Sequence, residues 1–225
     1  LPPSRPTRRL AARVSAVAAS SVAYLCSRVG VTPVWQSGTA RQVPASAALV
    51  LLPPGALRVV AVTQKPYSNA IQQEIALTTN ASNKGQNMIY VTAFGPGDSG
   101  LAAVGGSASA QPALRELNEE MSARLPGVAM KVSPDFVENG YGPFGYAIGR
   151  TGTGTTCLYS WQKRTAEKPV GTLQITYQAI DVRVRICSAR AREAELLNVI
   201  FRYSIVGLKA SGSYPSRPPV FSSAD

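Results

Sequence analysis

The side chain most often used for acid–base and nucleophilic chemistry, histidine, occurs nowhere in the 225 residues of this chain. A Ser-His-Asp triad, a Cys-His pair and every histidine-based zinc site are excluded by that alone. Carboxylates remain. Glycoside hydrolysis needs two of them facing each other across a sugar cleft, and Asp135, Glu138 and Asp181 stand in no motif that would set such a pair. Glu116, Glu119 and Glu120 fall on a predicted helix beside Arg115 and Arg124 and read as its solvated surface. The run Gly149-Arg-Thr-Gly-Thr-Gly-Thr-Thr156 has the glycines of a phosphate loop but lacks the lysine that reaches the phosphates, so it reads as a hairpin turn. No catalytic residue, metal-ligand set or cofactor site is expected.

The cysteines, Cys26, Cys157 and Cys187, divide by context. Cys26 closes an uncharged run of small and apolar residues, 14–25, which follows Arg5, Arg8, Arg9 and Arg13; Ser21-Val22-Ala23 offers the small residues that a signal peptidase reads. Residues 1–26 are therefore expected to be an export signal or anchor. Lipidation of Cys26 is one form of anchoring, although Leu25 is bulkier than lipoprotein processing prefers. No window holds about 18 uninterrupted apolar residues, so a spanning helix is not expected. An exported chain with two further cysteines pairs them. A Cys157–Cys187 disulfide, closing a loop of about thirty residues, would stabilise the fold by roughly 3–4 kcal/mol.

Strand alternation adds a consequence. Cys157, Tyr159 and Trp161 share one face of their strand, and Cys187 shares its face with Asp181, Arg183 and Arg185, while Ile180, Val182, Val184 and Ile186 take the core side. If the bond lies on one sheet face, Tyr159, Trp161, Arg183 and Arg185 stand together as a candidate binding face for a sugar polymer or a partner protein. The alternative is that the two aromatics pack beneath a loop and the arginines cover them by cation–π contact.

The elements that position these residues are read from periodicity. Residues 27–56 mix Gly30, Pro33, Gly38, Pro44, Pro53, Pro54 and Gly55 with short apolar pieces and read as an extended lead-in. A single domain is expected over 57–208, followed by a flexible tail at 209–225. Within it, 57–62 is strand-like, and 70–94 alternates with period two around the turn Asn80-Ala-Ser-Asn-Lys-Gly85, a β-hairpin. A helix follows, with Ser109 as candidate cap, Leu114, Leu117, Met121 and Leu125 on one face, and Pro126-Gly127 as its stop. Strands are expected at 144–150, 155–162, 172–178 and 180–187, then a second helix from a Ser188 cap towards Tyr203. This order predicts an α+β fold, mainly antiparallel β-sheet with two helices packed on one face.

Charge narrows the partners only slightly. The net charge of +11 is uneven: residues 1–45 carry six arginines and no acid, 46–160 carry seven charges of each sign, and 161–225 carry ten basic against five acidic residues. Clustered cations attract any polyanion. No RNA-binding motif or helix-turn-helix punctuation accompanies them, so nucleic acid is not an expected partner.

Five blocks carry a resemblance: Tyr67-Ser-Asn-Ala-Ile-Gln-Gln-Glu-Ile-Ala-Leu77, Gly85-Gln-Asn87, Tyr141-Gly-Pro-Phe-Gly-Tyr-Ala147, Cys157-Leu-Tyr-Ser-Trp-Gln162 and Arg185-Ile-Cys187. Over roughly residues 50–205 the chain resembles the bacterial cellulose biosynthesis protein BcsN family. The resemblance implies an accessory protein of cellulose synthesis in the periplasm or outer membrane of a Gram-negative bacterium, with components of the synthase and secretion machinery, and cellulose itself, as partners. It brings no catalytic residues. The role implied is that of a non-catalytic scaffold or adaptor; the alternatives from other classes are an envelope polysaccharide-modifying enzyme and a basic module that binds anions or nucleic acid.

Overall fold

Runs of period-two alternation, each about as long as a sheet is wide, become the central strands. The computed structural model describes residues 38–81, 85–95, 112–135, 137–165, 177–208 and 210. In chain order these form β1 (Arg41–Val43), a 3-10 turn at Ala45–Ala47, β2 (Val50–Leu51), β3 (Val59–Pro66), β4 (Ala70–Leu77) and β5 (Asn87–Phe94). Then come α1 (Leu114–Arg124), β6 (Ala129–Val132), β7 (Val137–Asn139), β8 (Gly142–Arg150), β9 (Thr156–Thr165), β10 (Ala179–Ser188), α2 (Glu193–Arg202) and β11 (Ser204–Ile205).

Nine of the strands make one antiparallel sheet in the order β1-β3-β4-β5-β10-β9-β8-β6, with β7 also pairing β8; β2 and β11 form a small separate ribbon. The middle of the sheet is β10, which pairs β5 on one side and β9 on the other over ten residues, from Ala179↔Thr165 to Ser188↔Thr156. That register fixes which residues share a face. Ile75, Ile89, Val91, Leu158, Ile180, Val182, Val184 and Ile186 point to one side, where they join Leu196, Leu197, Ile200 and Phe201 of α2 in the main core. Each such side chain, fully removed from water, contributes about 1.5–3 kcal/mol.

The fold class is the one expected, a mainly antiparallel α+β fold, but the two helices do not share a face. α2 covers the aliphatic side. α1 covers the other side, with Leu117, Met121 and Leu125 packed against Ala147, Cys157, Tyr159 and Cys187. The cause is that β8, β9 and β10 carry apolar or large side chains on both faces, Tyr146, Leu158 and Ile186 on one and Ala147, Cys157, Tyr159 and Cys187 on the other, so each side needs its own cover.

The stretch read as a lead-in also contributes structure. β1 adds to the sheet through Arg41↔Gln64, Gln42↔Thr63 and Val43↔Val62, and Val50 is fully buried. Strands of two and three residues between prolines show no periodicity in sequence. Capping differs as well. Ser188 does not cap α2 directly; its hydroxyl accepts from the backbone N–H groups of Arg190 and Ala191, and Glu195 accepts from the N–H of Arg192 at the helix start. The expected signal or anchor with Cys26, the Ser109 cap, residues 172–176 of the anticipated strand and the tail beyond Ser211 lie outside the described residues.

Candidate functional site

The register of β9 on β10 places Cys157 opposite Cys187, Tyr159 opposite Arg185 and Trp161 opposite Arg183. The two cysteines are disulfide-bonded, with Cα atoms 4.0 Å apart. All six residues thus stand on one face, in three adjacent cross-strand rows. Two rows continue across the sheet: Arg185 faces Met88 and Arg183 faces Tyr90 on β5, and beyond β9, Trp161 lies against Gly145 of β8.

α1 closes most of this face. Tyr159 is 0% exposed and Arg185 1%, so these two do not belong to an open binding face, and the covered alternative holds for them with a helix, not a loop, as the cover. The reason is that the apolar stripe of α1 needs a floor, and the disulfide with the Tyr159 ring supplies one. Arg185 then spends its guanidinium on main chain. Its Nε donates to the Arg124 carbonyl at 2.7 Å and its Nη1 to the Gln86 carbonyl. Burial pushes its pKa below the ordinary value. Gly85, at φ +94°, leaves room for that guanidinium; a Cβ there would come within 2.6 Å of Nη2.

Arg183 and Trp161 sit at the rim of the helix. Arg183 Nε donates to Glu120 of α1 at 3.3 Å and Nη1 to Asp181 on its own strand, so one cation joins two carboxylates. Arg124, which pairs with Glu120 at 3.0 Å, lies over the Tyr90 ring, 3.5 Å from its centroid. Burial raises the pKa of Asp181 above the usual carboxylate value, with Arg183 and Lys163 opposing. The Tyr159 hydroxyl is pushed up by burial and by nearby Glu120. Among the described residues Glu120 is its polar neighbour, without the geometry of a full hydrogen bond. Glu120, read from sequence as solvated surface, is therefore the helix's polar anchor. A helical wheel could have suggested this, since Glu120 follows the buried Leu117 by three residues, one turn along the edge of the apolar stripe.

A second polar cluster escaped the sequence reading. On the aliphatic side, the side chains of Asn139 and Gln162 bond reciprocally at 3.0 and 2.9 Å. Asn139 also donates to the Ile200 carbonyl of α2 and accepts from the N–H of Tyr141. Gln162 donates to the Gly142 carbonyl and accepts from the Tyr203 hydroxyl. Tyr141 and Tyr203 stack, and the Tyr141 hydroxyl accepts from the N–H of Ile205. This network ties β7, β8 and β9 to the end of α2. Among the described residues no group of three or more His, Cys, Asp or Glu side chains could hold a metal ion.

A family model described as cellulose biosynthesis protein BcsN matches residues 49–222. The chain belongs to the BcsN family. Membership ties it to cellulose biosynthesis. No curated protein and no solved structure matches significantly. The blocks that resemble BcsN acquire a physical meaning here. In Tyr141-Gly-Pro-Phe-Gly-Tyr-Ala147, Gly142 takes φ +103° at the β7–β8 turn, and Gly145 lets the Trp161 ring lie on bare backbone. In Cys157-Leu-Tyr-Ser-Trp-Gln162, the odd positions make the floor under α1 and Gln162 is the hub of the core network. The match also begins at Leu49, where the chain enters the main core beside Val50.

Proposed function

We propose that this BcsN-family protein is a non-catalytic accessory of cellulose synthesis or secretion, a scaffold or adaptor held in the periplasm or at the outer membrane. Family membership supports the process. The observation that carries the non-catalytic reading is the use made of the charged groups on the α1 face: Glu120, Arg183 and Asp181 neutralise one another, and Arg185 is spent on backbone carbonyls. A reacting centre keeps its acid or base directed at substrate. Here the same groups seat a helix.

Export and attachment through the N-terminus, with or without lipid on Cys26, complete the proposal and follow from the pattern of residues 1–26. No helix among the described residues is long and apolar enough to cross a membrane. The partners are components of the synthase and secretion apparatus, with cellulose as a further contact.

The test is genetic and biochemical together. Deleting the gene should reduce cellulose output or disturb fibre assembly, the full-length gene should restore it, and fractionation should place the mature chain in the envelope. The purified protein should leave cello-oligosaccharides intact. Reproducible glucan cleavage would replace the adaptor with an enzyme, and unprocessed chain in the cytoplasm would remove the envelope location.

A further inference from the structure

We infer that α1 is a latch over the Cys157–Cys187 bond: the bond forms on the bare sheet, α1 then docks on it, and the docked helix shields it from thiol–disulfide exchange. This goes beyond the adaptor reading and does not depend on it.

Three observations carry the inference. Cys157 is 0% exposed and Cys187 1%, so neither sulfur is open to a bulky thiolate in the folded protein. The cover comes from α1 and its C-cap: Leu117, Met121 and the capping Leu125 are each 1–2% exposed and belong to the same cluster as the two cysteines, with Ala81, Val128 and Met130 packed against it. The pairing that brings the cysteines together owes nothing to α1. It is set by the β9–β10 register, in which Cys157 and Cys187 are direct partners.

Exchange needs a thiolate to reach a disulfide sulfur along the bond. From below, the sheet and the α2 core bar the approach. From above, the cover among the described residues is α1 with Ala81, Val128 and Met130 beside it, so access requires α1 to be displaced. The order follows from these two facts. In the first step the thiolate of one cysteine attacks a disulfide of an oxidising partner, joining it in a mixed disulfide and releasing one partner thiolate. The second cysteine thiolate then attacks its neighbour's sulfur, closing Cys157–Cys187 and releasing the other. The two cysteines lose two electrons, the partner disulfide gains them, and the two thiol protons end on the partner's sulfurs. Docking of α1 follows, and the reverse reaction then requires the helix to lift. Oxidation of this pair is thereby made a committed step in maturation.

The experiment uses the oxidised full chain, exposed to dithiothreitol under native conditions, trapped by alkylation and followed by mass spectrometry. Reduction in the wild type should be slow relative to the same chain in urea. Leu117→Ala with Met121→Ala, which loosens α1, should speed it by about tenfold or more. If that double variant fails to fold, Met121→Ala alone should move the rate the same way by less. Leu197→Ala, which weakens α2 on the opposite face, is the control and should leave the rate nearer that of wild type at equal loss of thermal stability. Equal acceleration by the α1 and α2 variants would mean that the bond opens only on global unfolding, and wild-type reduction as fast as in urea would mean that it is not shielded; either result overturns the latch.

Discussion

The side-chain amide of Asn87 pairs with the main chain of Cys187 in both directions: Nδ2 donates to the Cys187 carbonyl at 3.1 Å, and the Cys187 N–H donates to Oδ1 at 2.8 Å. The β5–β10 ladder ends one step earlier, at Met88↔Arg185, so the amide acts as one more rung. Asn87 also donates to the Thr78 carbonyl at 3.1 Å. The half-cystine is thus held to β9 by its sulfur and to β5 by its backbone.

Replacing Asn87 with alanine should remove both of these bonds to the buried Cys187 main chain and the bond to the Thr78 carbonyl, at a total cost of about 1–3 kcal/mol. Urea unfolding would register this as a lower midpoint with unchanged slope. Amide exchange at Cys187 should quicken while that at Val182 stays protected. An alanine variant as stable as wild type would remove Asn87 from this role.

The Gly145–Trp161 contact predicts a steric effect with an identifiable partner. A Cβ on Gly145 would overlap the indole ring, which is rigid and has no flexible end to yield. Gly145→Ala should destabilise by about 1–3 kcal/mol as overpacking does, and in the Trp161→Ala background the same change should cost much less. A double-mutant cycle measures the difference. Additive losses would show that the clash is relieved elsewhere.

Asp181 supplies a pH signature. Its folded pKa is raised from 3.8, chiefly by burial. An acid with a raised folded pKa binds more protons folded than unfolded between the two values, so stability falls as pH climbs through that window and levels off above it. Asp181→Asn keeps an acceptor for Arg183 and removes the charge that burial disfavours. The variant should lose the Asp181 contribution to the pH slope and match or exceed wild type above the window, as followed by urea midpoints from about pH 3 to 7. A wild-type stability that rises through the window by the same margin relative to Asp181→Asn would reverse the sign and show that the Arg183 pair outweighs burial.

How much of this was legible in the residues differs from element to element. The alternation of β10, Ile180-Asp-Val-Arg-Val-Arg-Ile-Cys187, assigned each side chain to a face, because in a strand that assignment is a local property of the backbone. The even pair of cysteines could therefore be placed beside Tyr159, Trp161, Arg183 and Arg185 before any fold was known, and the neighbours found are those. The α+β class was legible for the same reason, from long alternating runs and two helical segments, the first with a clear stop at Pro126-Gly127.

The rest depended on contacts that no local pattern encodes. Whether a helix lies on one face or the other is decided by which surface it can bury best, and that surface is assembled from strands far apart in the chain. α1 and the Cys157–Cys187 floor are separated by more than thirty residues, and only the sheet order brings them together. The same holds for Glu120 reaching Arg183 and for Asn139 reaching Gln162 and Ile200. Sequence determined the two faces of the sheet and the bond that lies on one of them. Tertiary structure decided that this face is covered, since burial is a property of what packs above a residue and not of the strand that carries it.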